Sequence, residues 1–379
     1  MGVIARPRKP DGRGRVRNNE IGSPIPVLAL VGTRKGLFRL RGDDDRRRWQ
    51  ADGPLLAGWG IYHAVVDPRT DTLYVAANHA VYGPTVQCST DGGRTWRRSR
   101  KIGLPEDSGL TLNATWHIEP GRPDEPGTLY LGGDPGVLFR SDDGGETWDA
   151  NRGILNHSSR ERWMPGAGGL TCHSIQLDPR DRRRMYIALT SAGVFRSEDD
   201  GETWQPRNTN VAADYLGDPY AEVGQCPHKL LLHPARPDRL WQQNHCGVYR
   251  SDDRGDTWIR LDGNGLPSDF GFPIILDPQD PDTAYVIPEE GFEYHYGAGE
   301  RLVVYRTRDG GESWAAMADG LPAPSWAAVL RAASTVDAVS VYFGTQGGSF
   351  YALTEGETWV EGMRHLPPIL SVEVTPWST

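Results

Sequence analysis

Short apolar segments that alternate with polar residues recur along the chain, and a turn signal ends each one. Between Cys172 and Asn208 they occupy residues 173–177, 185–189, 193–196 and 203–205, with Asp-Pro and glycine turns between them. Alternation with a period of two, together with β-branched and aromatic residues, indicates strands. We therefore predict four short strands in this unit and an all-β protein.

A polar motif, Ser-x-Asp-x-Gly-x-Thr-Trp, marks the turn before the fourth strand of each unit. Its clear copies occupy residues 89–96, 141–148, 197–204, 251–258 and 307–314. Degenerate copies lie at residues 42–49 and 354–359. The seven tryptophans of these copies are about 52 residues apart, and four strands repeated at such a period are typical of β-propeller blades.

The two ends of the chain complete the count of strands. Residues 369–374 have the pattern of an innermost strand, whereas residues 27–31 and 36–40 have the pattern of second and third strands. The termini then share one blade, which leaves no open sheet edge. The sequence predicts a seven-bladed β-propeller with four-stranded blades over residues 26–376, closed by its N- and C-terminal strands.

Composition and charge narrow the class of protein. The chain has 379 residues and a net charge of −9, yet residues 1–25 are basic and are predicted to be a disordered extension. The acidic body makes a nucleic-acid partner unfavourable, and no apolar stretch is long enough for a membrane span. Four cysteines without a CxxC motif, and no secretory signal pattern, favour a cytoplasmic protein with reduced thiols. The sequence leaves the oligomeric state open.

The motif resembles the Asp-box, or bacterial neuraminidase repeat. Residues 31–38 also resemble a group of seven-bladed Asp-box proteins of bacteria that are described as sialidase-like or glycosyl hydrolase-like. The resemblance implies that each box shapes the hairpin between the third and fourth strands, on the face opposite the active site. The structural aspartates would be Asp91, Asp143, Asp199, Asp253 and Asp309. The Arg-Ile-Pro motif of sialidases is missing and these enzymes usually have six blades, so true sialidase activity is not expected.

Histidines concentrate on the other face of the predicted propeller, where loops lead into the innermost strands. His173 and His228 lie six residues before Pro179 and Pro234, so they occupy equivalent positions in adjacent blades. With His63 and His245 they form a plausible cluster. Converging imidazoles suit one divalent transition metal, Mn, Fe, Cu or Zn, with His63, His173, His228 and His245 as candidate ligands.

The same imidazoles are natural general bases near neutral pH, so His63, His173 and His228 are also the candidate catalytic residues. In the alternative interpretation, each histidine separately caps a strand or binds a channel water. No nucleotide cofactor is expected, because the glycines at 166–169 are not followed by a helix.

Other side chains in the same loops and strand starts are candidates for substrate binding. The insertion at 289–296 is acidic and aromatic, which suits a sugar or an aromatic ligand, although a solvated flap fits it equally. The loop at 151–172 is long enough for a lid or a binding element. The substrate-binding candidates are Arg34, Lys35, His79, His117, Trp163, Lys229, Glu289 and Tyr294.

Two functions follow from this pattern. The first is an enzyme with a histidine-rich, metal-binding pocket on the channel face, acting by elimination, hydrolysis or oxidation on a glycan-like or small polar organic substrate. The alternative is a non-catalytic binding or assembly scaffold, as other Asp-box propellers are. Histidine rings that point into separate blade interfaces would favour the scaffold.

Overall fold

Seven antiparallel sheets surround a central channel in the computed structural model, which describes residues 27–354 and 357–376. The predicted seven-bladed propeller with four-stranded blades is confirmed. The predicted basic extension at 1–25 and part of the degenerate motif at 354–359 lie outside the described residues.

Each blade is a sheet whose first strand lines the channel and whose fourth strand lies at the rim. The innermost strands of blades 1 to 7, in that order, are β30 (Ile369–Pro376), β4 (Gly60–Asp67), β9 (Ala114–Pro120), β13 (Cys172–Leu177), β17 (Pro227–Leu232), β21 (Gly271–Leu276) and β26 (Ser334–Val336). The second strands are β1 (Val27–Thr33), β5 (Thr72–His79), β10 (Leu129–Asp134), β14 (Met185–Leu189), β18 (Leu240–Asn244), β22 (Ala284–Gly291) and β27 (Val341–Gly344).

In blades 1 to 6 the two outer strands together are shorter than the two inner strands. The third strands are β2 (Gly36–Gly42), β6 (Gly83–Ser89), β11 (Val137–Ser141), β15 (Gly193–Ser197), β19 (Gly247–Ser251), β24 (Val304–Thr307) and β28 (Phe350–Leu353). The fourth strands are β3 (Trp49–Leu55), β7 (Arg97–Arg98), β12 (Thr147–Ala150), β16 (Gln205–Pro206), β20 (Ile259–Arg260), β25 (Ala315–Met317) and β29 (Trp359–Met363).

Five short elements decorate this ring among the residues that the structure describes. β8 (Lys101–Gly103) pairs with β12 in parallel, and β23 (Tyr294–Gly297) pairs with β22 as a hairpin. The helix α1 (Arg152–Leu155) and the 3-10 turns at Glu106–Ser108 and Arg160–Arg162 lie in loops that lead into blades 3 and 4. No helix of the described residues is long and apolar enough to cross a bilayer.

Blade 1 closes the ring as the sequence predicts. β30 pairs antiparallel with β1, from Val27 opposite Pro376 to Thr33 opposite Ile369. Val31 and Val372 face each other in this pairing, and both are fully buried. The junction is therefore a continuous part of the apolar core.

The Asp-boxes occupy the hairpins between third and fourth strands. In the third blade, Oδ1 of Asp143 accepts hydrogen bonds from the N–H groups of Glu146 and Thr147 at 3.0 and 2.9 Å, and Oδ2 accepts one from the Thr147 hydroxyl at 2.6 Å. Trp148, which follows the box, is fully buried. Closely similar bonds recur at Asp91, Asp199, Asp253 and Asp309. These carboxylates are therefore occupied in stabilising the hairpin turns.

β-Bulges interrupt the pairing of innermost and second strands near the start of six of the seven innermost strands. A bulge inserts one unpaired residue and re-aims its side chain. The bulges fall at Tyr62, Trp116, His173, His228, Phe272–Pro273 and Leu370. One position in nearly every blade is therefore turned toward the mouth of the channel.

Candidate functional site

A cavity of about 730 Å³ opens at the mouth of the channel, and we call it the collar cavity. Bulge residues form its floor, while loops that enter the blades and turns between second and third strands form its walls. It lies on the face opposite the Asp-boxes, where the histidine pattern predicts the site. The bulge residues that line it are Tyr62, Trp116, His228, Phe272 and Leu370.

His228 presents one free ring nitrogen to this cavity. Its Nδ1–H donates to the carbonyl of Gly271 at 2.6 Å, which fixes the tautomer and leaves the lone pair of Nε2 available. The ring stacks on Phe272 with centroids 4.5 Å apart. Burial lowers the pKa of His228 well below its usual value, so the ring is neutral at neutral pH.

Cys226 and His245 join His228 in a compact group of donors. The three ligand atoms lie within 4.8 Å of one another. The backbone explains the proximity, because the N–H of His245 donates to the carbonyl of Cys226 at 2.9 Å across blade 5. A thiol and two imidazoles suit a transition metal, and a ring N–H that donates to a backbone carbonyl is the usual support of a metal-binding histidine.

The histidines predicted to cluster divide into separate groups. His63 lies one residue past the bulge at Tyr62 and therefore faces deeper into the channel. Its Nδ1 accepts from the N–H of Ile118 at 3.3 Å, and its ring lies 4.2 Å from that of His117. His63 therefore does not join the expected four-histidine cluster. Counting back from a proline places His63 at the bulge position, which Tyr62 occupies instead, and adjacent residues of a strand point in opposite directions.

His173 occupies a bulge position but both of its nitrogens have partners. Its Nε2–H donates to the carbonyl of Pro227 at 2.9 Å, and its Nδ1 accepts from the Ser174 hydroxyl at 3.1 Å. The side chain is buried between blades 4 and 5. Its geometry indicates a bridge between blades rather than a metal ligand.

Below the collar cavity, titratable side chains from four blades meet in the channel, and we call them the channel network. Nε2 of His63 lies 3.2 Å from Glu373, and Nε2 of His117 lies 3.2 Å from Glu119. Burial, with a contribution from Glu373, raises the pKa of Glu119 to about 8. Lys229 interacts electrostatically with Glu119 and Glu373, and burial lowers the pKa of its amine. Two substrate-binding candidates, His117 and Lys229, therefore belong to this network and do not line the collar cavity.

Three other candidates line cavities. A second cavity of about 620 Å³, which we call the outer cavity, is lined by Arg34, Lys35 and His79. Arg34, Tyr62 and Leu370 also line the collar cavity, so the two cavities are neighbours.

Trp163 is the clearest correction among the substrate-binding candidates. It is 5% exposed and packs edge-on against Phe195, with ring centroids 5.2 Å apart. Its indole N–H donates to Ser159 at 2.9 Å. The long loop at 151–172 does reach the collar cavity, but through Arg162 and Met164 on either side of this anchor.

The acidic and aromatic insertion forms a hairpin beside the collar cavity. Glu289 is 2% exposed, and its Oε2 lies 3.1 Å from Nδ1 of His295, which lines the cavity. Burial raises the pKa of Glu289 to about 8. Tyr294 is half exposed and lines neither cavity, so the hairpin contributes Phe292 and His295 in its place.

Arg331 is a cavity residue that the sequence analysis missed. It lies in the loop before β26 and is 9% exposed. Its guanidinium lies 5.3 Å from the ring centroid of Trp116 and 5.6 Å from that of Phe272. The segment around it has no strand pattern and no motif, so no local signal distinguishes it from other arginines.

Comparison with known proteins agrees with this architecture. The model of the BNR/Asp-box repeat matches residues 87–98 and 139–150. These are two of the hairpins described above, in a ring of seven blades. The chain is a seven-bladed propeller that carries Asp-box repeats, and we call it the Asp-box propeller.

The Asp-box propeller is similar in sequence to several curated enzymes. An oligoxyloglucan-reducing end-specific xyloglucanase of Emericella nidulans is 29% identical over 215 residues, which cover 52% of this chain and 23% of that protein. A sialidase of Bacteroides fragilis is 24% identical over 260 residues, covering 58% of this chain and 44% of the relative. The matches thus span less than half the length of these relatives.

A solved structure extends the likeness across nearly the whole Asp-box propeller. The GH74 xyloglucanase from Xanthomonas campestris superposes with a TM-score of 0.61 at 20% identity, over 89% of this chain and 52% of that one. At this identity the likeness shows a shared fold.

Proposed function

We propose that this Asp-box propeller is a glycan-cleaving enzyme whose substrate binds in the collar cavity. The observation that carries the proposal is the convergence of a free imidazole nitrogen, a second imidazole and a thiol in an aromatic-walled cavity at the channel mouth. Aromatic walls with a few converging polar groups are typical of small-molecule sites. Curated relatives named xyloglucanase and sialidase support a glycan as the substrate.

We assign the chemical step to the donor group of Cys226, His228 and His245. His228 is neutral and aims Nε2 into the cavity, so it accepts a proton from a water or from the substrate. The same three donors fit a transition metal, and the thiol favours Zn, Fe or Cu over Mn. A metal bound here would polarise a substrate oxygen or activate a water.

A pair of carboxylates is the usual machinery of glycoside hydrolysis. The lining of the collar cavity contains no Asp or Glu among the residues that the structure describes. Glu289 lies behind His295, with Oε2 3.1 Å from Nδ1 of that ring, so we assign it to orienting the ring. The geometry therefore favours hydrolysis or elimination assisted by histidine or metal over the two-carboxylate mechanism.

The proposal is tested by product analysis on a panel of neutral and acidic oligosaccharides, including xyloglucan fragments. Mass spectrometry distinguishes hydrolysis, which adds one water to the products, from elimination, which adds none. Elimination in a uronic acid also leaves a double bond conjugated with the carboxylate, which absorbs in the ultraviolet. We expect cleavage by the wild type and its loss in Cys226→Ser. His365→Asn, an exposed position outside both cavities, is the matched control and should cleave normally.

Binding without cleavage of any panel member would contradict the proposal and favour a scaffold. His63 and His173 do bond across blade interfaces, as a scaffold predicts. His228 bonds to the next blade through Nδ1 alone and keeps Nε2 for the collar cavity, which His245 also lines. Metal content of the purified wild type and of Cys226→Ser, measured by mass spectrometry, tests the metal separately.

A further inference from the structure

We propose that the ligand of the collar cavity carries a carboxylate, as in a uronic acid unit of a glycan, and that Arg331 binds this group. The inference rests on the proposed function for the sugar part of the ligand. The preference for an anion follows from the charges that line the two cavities and from the surroundings of Arg331.

The cavities are cationic although the protein is acidic. The chain carries 50 acidic residues and a net charge of −9. Among the described residues that line the collar and outer cavities there is no Asp or Glu, whereas Arg34, Lys35, Arg162 and Arg331 are present. A cleft lined by one sign of charge concentrates ligands of the opposite sign. Such segregation in an acidic protein favours an anionic ligand.

Arg331 is a buried cation without an anionic partner. Its one hydrogen bond to the part of the chain that the structure describes is a long contact of 3.5 Å from Nη1 to the Thr171 hydroxyl. Two aromatic rings flank the guanidinium, and no carboxylate among the described residues forms an ion pair with it. A guanidinium has five N–H donors and normally pairs when buried, because an unpaired buried charge is destabilising. A carboxylate entering the collar cavity would satisfy these donors in the two-point geometry that arginine favours.

The outer cavity offers a second contact for an anion. Arg34 and Lys35 line it, and neither forms an ion pair within residues 27–354 and 357–376. Arg162 differs, because it already pairs with Glu222 at 2.6 Å. A chain of acidic sugars could thus place one carboxylate at Arg331 and another near Arg34 and Lys35. This arrangement predicts tighter binding of acidic disaccharides than of monosaccharides.

The test compares acidic sugars with neutral sugars of the same skeleton. Isothermal calorimetry at low salt would use digalacturonate against galactobiose, and cellobiouronate against cellobiose. We expect at least one acid to bind about tenfold more tightly than its neutral counterpart, with an advantage that falls as salt is raised. Equal binding within both pairs, or no measurable binding of either acid, would overturn the inference.

Arg331→Met separates recognition from folding. It should abolish the advantage of the acid, so that the acid and its neutral counterpart bind equally, and it should keep or raise Tm because it removes an unpaired buried charge. Arg94→Met, on an exposed Asp-box turn of the opposite face, is the control and should keep the acid advantage. An advantage that survives Arg331→Met would also overturn the inference.

The outcomes distinguish this inference from the proposed function. Acid-selective binding without turnover would refute the enzyme and retain the ligand class. Turnover of neutral glycans without any acid preference would support the enzyme and refute the acidic ligand.

Discussion

His228 uses one ring nitrogen to hold its place and keeps the other for the cavity. The bond from Nδ1–H to the Gly271 carbonyl ties the ring to the neighbouring blade, and burial keeps it neutral. His173, at the same bulge position one blade earlier, uses both nitrogens. Two identical residues at equivalent positions thus differ in chemical availability because of their hydrogen-bond partners.

Glu289 gives the clearest pH signature at the scale of a single residue. Its pKa is raised from a usual 4.5 to about 8 by burial, so the folded protein holds a proton that the unfolded chain releases above pH 4.5. Stability is therefore lost through this residue as the pH rises from about 4.5 to about 8.

Glu289→Gln should remove this dependence, since glutamine stays neutral. We expect the Tm of the variant to exceed that of wild type by an amount that grows between pH 5 and pH 8. At pH 8 this difference should reach several degrees. Glu290→Gln, an exposed neighbour, is the control and should show no such trend. Parallel Tm curves for wild type and Glu289→Gln would show that Glu289 is ionised in the folded state.

The bulge is the element that assembles the collar cavity. It turns one side chain per blade toward the channel mouth, and the residue after it faces deeper. The sequence shows the strands but not the bulges, because a bulge changes the pairing of two strands and leaves no fixed residue signature. Alternation alone could have linked Cys226 to His228, since residues two apart share a face of a strand.

Close contact between neighbouring blades depends on small residues in the second strands. A Cβ at Gly132 would lie 2.1 Å from the carbonyl oxygen of Cys172 in the next blade. Gly132→Ala should therefore push blades 3 and 4 apart and destabilise the protein by about 1–3 kcal/mol. Gly168→Ala is the control, because a Cβ there has no neighbour within 4 Å.

Urea denaturation of both glycine variants measures this effect. A lower midpoint for Gly132→Ala alone would support the contact. An unchanged midpoint for Gly132→Ala would mean that the blades can separate without a penalty, against the packing described here.

At the scale of the whole molecule, the ring depends on one junction between chain ends. Val372 is fully buried where β30 pairs with β1. Val372→Asp would place an unpaired charge there and should cost about 3 kcal/mol or more, measured as a loss of Tm and of cooperative unfolding. Thr375→Asp, a partly exposed position on the same strand, should cost far less. Equal losses in the two variants would argue against the closure as the weak point.

The architecture could be predicted from the sequence because its motif is repeated in each blade. The site could not be predicted in the same way, since it is formed by residues that differ from blade to blade. Five clear Asp-boxes and the strand patterns at the two ends specify seven blades and their closure. Arg331 has no counterpart in any repeated pattern. The direction of His63 depends on the bulge at Tyr62, and the turn residues do not locate that bulge to within one residue. Long-range juxtaposition, such as that of His245 with Cys226, appears only once strands are paired.

The central claim is that function resides in the collar cavity and not in the channel network. The most direct measurement is kcat/KM on the glycan that the panel identifies, for His245→Ala, His117→Asn and the control His365→Asn. His245 is only partly buried, so its loss should leave Tm nearly unchanged while kcat/KM falls by about 100-fold or more. A fall in His117→Asn, with normal turnover in His245→Ala, would place the chemistry in the channel network and contradict the account.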